Sequence, residues 1–335
     1  MLRNLLSRAR RLLKPQVILP VLLAIALLVF AFSLGDIHKV ITRIGRLPAR
    51  VLWLSLAAAA CYLACKAAQL RLMLRQIDVR TPARPFWLAF AVGELTVTLP
   101  LGMFSQNWVL SASRRVHIGR SSAATVMMVL AEVAVVFLFL AVVGIPGWPD
   151  TRPLAVALLV AVGLLLLGLM LFEHRARTLV AHLKHRWARR GADAGLEMLR
   201  GLRKLSTPVM LLVSIVLAAV YLGALTFAFW IIGRGMDAHH LDYLTAATIY
   251  MFSLAVILVG AGLFSQIGTV ELLGMLAARA WGIDYTDGLA LMLGFRIVWT
   301  CSIWLLCLPI VGLLWREMPS HGRRPSSDRG KKVSR

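Results

Sequence analysis

Apolar residues in this chain fall in long, nearly unbroken runs separated by short basic stretches, with little of the one-sided periodicity that marks surface helices or half-buried strands. The runs are Val17 to Leu34, Val51 to Leu74, Phe86 to Leu101, Ser121 to Ile145, Leu154 to Phe172, Val209 to Gly233, Tyr243 to Gly262 and Gly288 to Trp315. Each approaches or exceeds the roughly 18 residues of a bilayer-crossing helix. The pattern predicts an all-α polytopic membrane protein. A single transmembrane domain is expected over 16–315, between a basic cytoplasmic N-terminus (1–15) and a basic tail (316–335) expected to be disordered. The cationic run before Val17 resembles a signal sequence, but Ser33-Leu34-Gly35-Asp36 is a poor cleavage site, so the first helix is expected to stay uncleaved.

Eight simple crossings from a cytoplasmic N-terminus would place the loop 173–205 outside, although it carries Arg175, Arg177, Lys184, Arg186, Arg189, Arg190, Arg200, Arg203 and Lys204. That violates the preference of Lys and Arg for the cytoplasmic face. The conflict disappears if two segments enter the membrane, break and return on the same side. The first runs from Phe86 into Leu99-Pro100-Leu101-Gly102, and the second from Tyr243 into Gly260-Ala261-Gly262. Proline and glycine interrupt a helix there, which a bilayer tolerates only where protein or a polar cavity satisfies the freed backbone groups. The expected fold therefore has six to eight transmembrane helices with two broken or re-entrant helical hairpins. Both termini are then cytoplasmic, in a bacterial-type inner membrane. Ile37, Val40, Ile41, Ile44 and Leu47 follow helical spacing among Lys39, Arg43 and Arg46, which predicts an amphipathic helix on the outer surface.

The two breaks share a short sequence, Gly102-Met103-Phe104-Ser105-Gln106 and Gly262-Leu263-Phe264-Ser265-Gln266, set 160 residues apart. Only five glutamines occur in the chain, and two of them stand at these breaks. Repeat 1 is expected over about 51–145 and repeat 2 over about 208–315, with opposite orientation. Such inverted repeats place a substrate site near the bilayer midplane.

These residues resemble a known family. Gly262 to Glu271, then Ala277 to Gly282 and the helix through Phe295-Arg296, look like the second half of the lysylphosphatidylglycerol synthase transmembrane, or flippase-like, family. Leu99-Pro100 to Arg114-Arg115, followed by Val129-Leu130-Ala131-Glu132, resembles its first half. Where the family shows a Pro-Gly-Gly run, this chain has Phe264-Ser265-Gln266 before Gly268 and Glu271, and the family's Glu-Arg pair is reduced to Glu132-Val133. The resemblance implies a membrane protein moving an amphipathic lipid between leaflets. Two-domain members also carry a soluble domain that aminoacylates phosphatidylglycerol; this chain ends twenty residues after Trp315, and none is expected here.

Charges inside apolar runs are the sharpest chemical signal, since each costs about 2.5–3.5 kcal/mol at a helix centre unless it meets a partner or water. Glu94, Glu132, Glu271 and Arg296 are the deep candidates; Lys66 and Arg279 stand nearer run ends, where snorkelling is open to them. Two readings stand side by side. In one, Arg296 draws a lipid phosphate while Glu132 or Glu271 balances it in the empty site; in the other, an Arg–Glu pair holds helices in register. Ser105, Gln106, Asn107, Ser265 and Gln266 are neutral donors and acceptors at the breaks, suited to a headgroup or to capping the freed backbone. Pro100, Gly102, Gly260, Gly262 and Gly268 are the expected hinge positions. Arg114 and Arg115 could collect anionic lipid headgroups.

Composition narrows the partners. With 37 Lys+Arg against 15 Asp+Glu the net charge is +22, but the cations lie between apolar runs, which favours anionic membrane lipids over nucleic acid. Envelope-lipid biosynthetic enzymes are further candidate partners. Cys61, Cys65, Cys301 and Cys307 sit within apolar runs without metal-ligand spacing, so neither metal nor cofactor is expected. No phosphate-binding loop is present, and the outer loops are too short for a glycosyltransferase site, so an enzyme is not expected. The leading expectation is a lipid flippase; the alternatives are an ion-coupled solute transporter or an accessory protein of envelope lipid or glycan biosynthesis.

Overall fold

The computed structural model describes residues 37–98, 102–114, 116–145, 148–164, 168, 186–236, 241–259 and 266–315. The expected first helix, Val17 to Leu34, lies outside them, as does the tail beyond 315. The described residues are helical throughout, apart from turns: α1 (Ile37–Gly45), α2 (Ala49–Gln76), α3 (Ala83–Thr96), α4 (Ser105–Arg114), α5 (Ile118–Val143), α6 (Thr151–Leu164), α7 (Arg186–Leu205), α8 (Pro208–Gly235), α9 (Tyr243–Val259), α10 (Gln266–Ala280) and α11 (Tyr285–Trp315).

Four of these, α2, α5, α8 and α11, are long and apolar enough to cross a bilayer. Their ends follow local chemistry. Thr207 caps α8 by accepting from the Met210 N–H, with Pro208 at the first helical position. Pro48, in extended conformation, precedes α2, and Gly144, at φ 71°, ends α5. The helices flanking the two expected breaks are shorter: α3 and α4 have 14 and 10 residues, α9 and α10 have 17 and 15. At about 1.5 Å per residue, none reaches across the roughly 30 Å hydrocarbon core.

The helices thus recur as long, short, short, long: α2–α5 and α8–α11. Their contacts recur in exchanged form. α3 packs on α11 and its counterpart α9 packs on α5; α5 packs on α8 and α11 on α2; α2 and α8 pair most extensively of all. Ser55 and Ser214 are each the seventh residue of their helices, and Tyr62-Leu63 and Tyr221-Leu222 each the fourteenth and fifteenth. Ala59-Ala60 and Ala218-Ala219 match as well. This second pair of related segments, unnoticed in the sequence, forms the central helix pair.

α2 and α8 run antiparallel. Near one end of the pair, Asp78, after α2, accepts from Lys204, before α8, at 2.7 Å; near the other, a Cβ on Gly235 would lie 3.0 Å from Val51. The chain approaches α3 and leaves α4 at the first end, where Val79, Arg80, Val116 and His117 line one cavity of about 790 Å³. It approaches α9 and leaves α10 at the second, where Leu241, Thr245, Trp281 and Ile283 line another of about 480 Å³.

The basic segment 173–205 contributes α7, which packs along α5 at the first end. Glu197 of α7 accepts from Arg120 at 3.3 Å and from Arg200 at 2.6 Å. Partial burial raises its carboxyl, but the two guanidiniums outweigh this and hold it below the usual range. At the second end the amphipathic α1 packs on α11, with Arg43 donating to Asp287 at 2.5 Å. Its Ile44 and Leu47 turn toward the core while Ile41 points away.

Candidate functional site: a charged cluster between the broken helices

Lys66 is where the structure corrects the sequence reading most. Instead of snorkelling to a run end, its ammonium is buried at the junction of four helices. Tyr62, one turn earlier on the same face of α2, accepts a hydrogen bond from Nζ at 2.6 Å. Glu94 of α3 stands 3.2 Å from Nζ and Glu132 of α5 stands 3.7 Å away. The Tyr221 hydroxyl of α8 donates to the same Glu132 Oε1 at 2.9 Å. Nζ also lies 4.9 Å from the Tyr62 ring centroid and 5.9 Å from that of Tyr221, within cation–π range. The three charged side chains are 11%, 6% and 15% exposed. Nothing in α2 alone reveals this: two carboxylates from other helices make burial cheaper than snorkelling.

Arg296 and Glu271 form a second pair. Arg296 Nε donates to Glu271 Oε1 at 2.6 Å, and the other oxygen accepts from the Gly268 N–H at 2.8 Å. Gly268 stands at φ 86°, a conformation that glycine adopts without the Cβ clash of other residues. Glu271 therefore does two things: it satisfies a backbone donor in the first turn of α10 and ties that helix to α11. Glu132, the other acid considered as a partner for Arg296, is instead held by Lys66 and Tyr221.

A cavity of about 100 Å³ joins the clusters, with Lys66, Glu94, Glu132 and Arg296 in its wall. A second, of about 60 Å³, shares Lys66, Glu94 and Glu132 and continues to Gln106 and Thr125. The ion-paired triad thus lines both small spaces, beside the last turns of α3 and α9. Trp304, which lines the first cavity, is itself 50% exposed on a flank of α11. Ile297, Leu305 and Leu308 are exposed there too.

The candidates at the first break separate by location. Gln106 lines the second cavity. Its side-chain amide and that of Asn107 both donate to Thr125 Oγ1 at 2.9 Å, and Asn107 is fully buried outside both cavities. Ser105 hydrogen-bonds Thr96 across the break at 2.7 Å, closing the turn between α3 and α4. Gly102 fits because its missing Cβ would collide with the Thr96 carbonyl oxygen, at 1.6 Å. Pro100, Arg115, Gly260, Gly262 and Ser265 lie outside the described residues, and so do the side chains of Arg114 and Gln266. Among the described residues, no three His, Cys, Asp or Glu side chains gather as a metal ion would require. Tyr62, Tyr221, Thr125 and, as a site residue, Lys66 escaped the sequence reading. The i, i+4 spacing of Tyr62 and Lys66 and the matched Tyr-Leu pairs were the signals that could have found the first two and the lysine.

No curated protein matches this chain. The long apolar helices agree with a family model that matches this chain, described as the lysylphosphatidylglycerol synthase TM region. That match runs over residues 17–307, nearly the whole hydrophobic domain, and the chain belongs to this family.

Proposed function

We propose that this protein moves an amphipathic lipid, of phospholipid or isoprenoid type, between the leaflets of a bacterial-type inner membrane, and that the cavity walled by Lys66, Glu94, Glu132 and Arg296 passes the headgroup. The observation that carries this reading is the cavity's position. Its wall holds buried charges, while Trp304, which also lines it, is half exposed on an apolar flank of α11. A headgroup can travel inside while acyl chains stay in the bilayer.

The exchanged contacts support an inverted repeat with two re-entrant hairpins: α3–α4 is approached and left at one end, α9–α10 at the other. In this reading the last turns of α3 and α9, which line the cavity, stand toward the midplane, where inverted repeats place a substrate site. A cavity of about 100 Å³ is smaller than ordinary ligand sites, so passage requires the two halves to part. Arg114 and Arg115, which follow the first break in sequence, are the collectors of anionic headgroups in this reading.

The test is purified full-length protein in phosphatidylglycerol-containing vesicles with headgroup-labelled lipid in both leaflets and an impermeant quencher outside. Wild type is expected to expose inner-leaflet label, and Arg296→Gln to slow exposure at least tenfold while remaining folded. Protection of the inner leaflet across several lipid classes, in folded protein, would sink the proposal in favour of a solute carrier or an accessory protein.

A further inference from the structure

Pro309 stands inside α11. A proline has no N–H, so the Leu305 carbonyl one turn earlier lacks its helical donor, and the ring presses against that same carbonyl. A helix bends readily at such a point. The two sides of Pro309 are held differently. Before it, Arg296 ties α11 to Glu271 of α10 at 2.6 Å. Trp299 is clamped there between Phe295 and Tyr62, with ring centroids 5.6 and 5.3 Å away. After Cys307, no residue through Leu314 is buried. Trp304 lies just before the bend, in the cavity wall and on the exposed apolar flank with Ile297, Leu305 and Leu308. Unlike Trp299, it makes neither a ring contact nor a hydrogen bond among the described residues.

α11 begins at the second end, where Asp287 meets Arg43. Its 31 residues, at about 1.5 Å each, carry it through the hydrocarbon core to the first end. α3 starts at that first end and packs on α11, and Leu95, in its last turn, lines the cavity with Thr300 and Trp304. The seam between α3 and α11, which also separates the two halves of the chain, therefore leads from the cavity toward the first end. We infer that this seam is where a lipid enters from the bilayer: its acyl chains lie on the flank from Ile297 to Leu308, Trp304 is the side chain that admits the headgroup, and the segment after Pro309 swings away from α3 to open the way. An indole suits that boundary, with an apolar body against acyl chains and an N–H able to meet a phosphate oxygen. The entry route rests on the translocation reading above; the bend of α11 does not.

Pulsed electron resonance on the full chain in phosphatidylglycerol vesicles tests the bend. Nitroxides are placed at Leu313→Cys and Val209→Cys, both exposed, after Cys61, Cys65, Cys301 and Cys307 are changed to alanine. Two distances are expected with Pro309 in place and one in Pro309→Ala, which restores the donor to the Leu305 carbonyl. Headgroup-labelled phosphatidylglycerol should cross about tenfold more slowly in Pro309→Ala, because opening sets the rate, and faster in Trp304→Ala, where nothing guards the seam. Phosphatidylglycerol brominated along its acyl chains should quench a smaller share of the emission in Trp304→Phe than in wild type. The inference is overturned if the chain with Pro309 shows one distance, if Pro309→Ala keeps both, or if either variant moves lipid at the wild-type rate. It is also overturned if removing Trp304 leaves the quenched share unchanged, the sign of a flank covered by protein. Any of these, with wild type still moving lipid, leaves the translocation reading standing. Two distances and the quenching in protein that moves no lipid would refute that reading and keep only the bend.

Discussion

The rings of Tyr62 and Tyr221 meet edge to face, with centroids 5.5 Å apart, although one residue belongs to the first half of the chain and the other to the second. Each is the fourteenth residue of its helix. A pair of equivalent residues that touches must lie where the two halves cross. Their hydroxyls then part company. That of Tyr62 serves Lys66 and that of Tyr221 serves Glu132, so a matched pair of tyrosines supports an unmatched set of charges. Position 66 is a lysine on α2, but the equivalent eighteenth residue of α8 is Leu225.

Tyr221→Phe keeps the ring contact and removes only the donor to Glu132. A hydrogen bond to a charged group contributes about 1.5–3 kcal/mol. Thermal unfolding in detergent should register a loss of that size, larger than for Tyr62→Phe, whose hydroxyl accepts from an ammonium that keeps two carboxylates. Equal, negligible effects would show that the tyrosines act through their rings alone.

Lys66→Met leaves two acids facing each other without a cation. Breaking a buried pair in this way costs about 3–5 kcal/mol, and unfolding should come at a markedly lower temperature. Adding Glu94→Gln to the same chain removes one of the stranded acids and should restore part of the loss. A double variant no more stable than Lys66→Met would mean that Lys66 matters for packing rather than charge.

At Gly119 the backbones of α5 and α7 come close together. A Cβ there would lie 2.1 Å from the Ala194 carbonyl oxygen, a backbone atom that cannot turn aside. Gly119→Ala should push α7 away and destabilise by about 1–3 kcal/mol. Because Arg120 bonds Glu197 beside it, limited proteolysis between 186 and 205 should accelerate. An unchanged cleavage rate would show that α7 docks through its ion pairs alone.

Asp242 caps α9 by accepting from the Thr245 N–H at 2.8 Å. Hydrogen bonds from Thr245 hold its carboxyl below the ordinary range. The lowered folded value fixes the sign: the cap stabilises fully above the unfolded value of about 3.9, and that stabilisation is lost as pH falls through the folded value. Asp242→Ala should cost about 1 kcal/mol at neutral pH and less once the acid is protonated. A penalty unchanged down to pH 2 would refute the charge-dependent part of the cap.

The sequence by itself determined the membrane class, the family, the end of α3 before Gly102 and the deep positions of Glu94, Glu132, Glu271 and Arg296, because insertion into a bilayer imposes long apolar runs and makes every buried charge conspicuous. It also placed the amphipathic α1, whose spacing is local. The pairing was decided by tertiary structure alone. Lys66 looked like a snorkelling residue because its carboxylates are supplied by α3 and α5, 28 and 66 positions onward in the chain, and no local pattern carries that distance. Whether Arg296 met Glu132 or Glu271 depended likewise on which helix lay beside α11. The matched Tyr-Leu pairs on α2 and α8 were in plain view but gained meaning only when the two helices lay antiparallel with their tyrosines in contact.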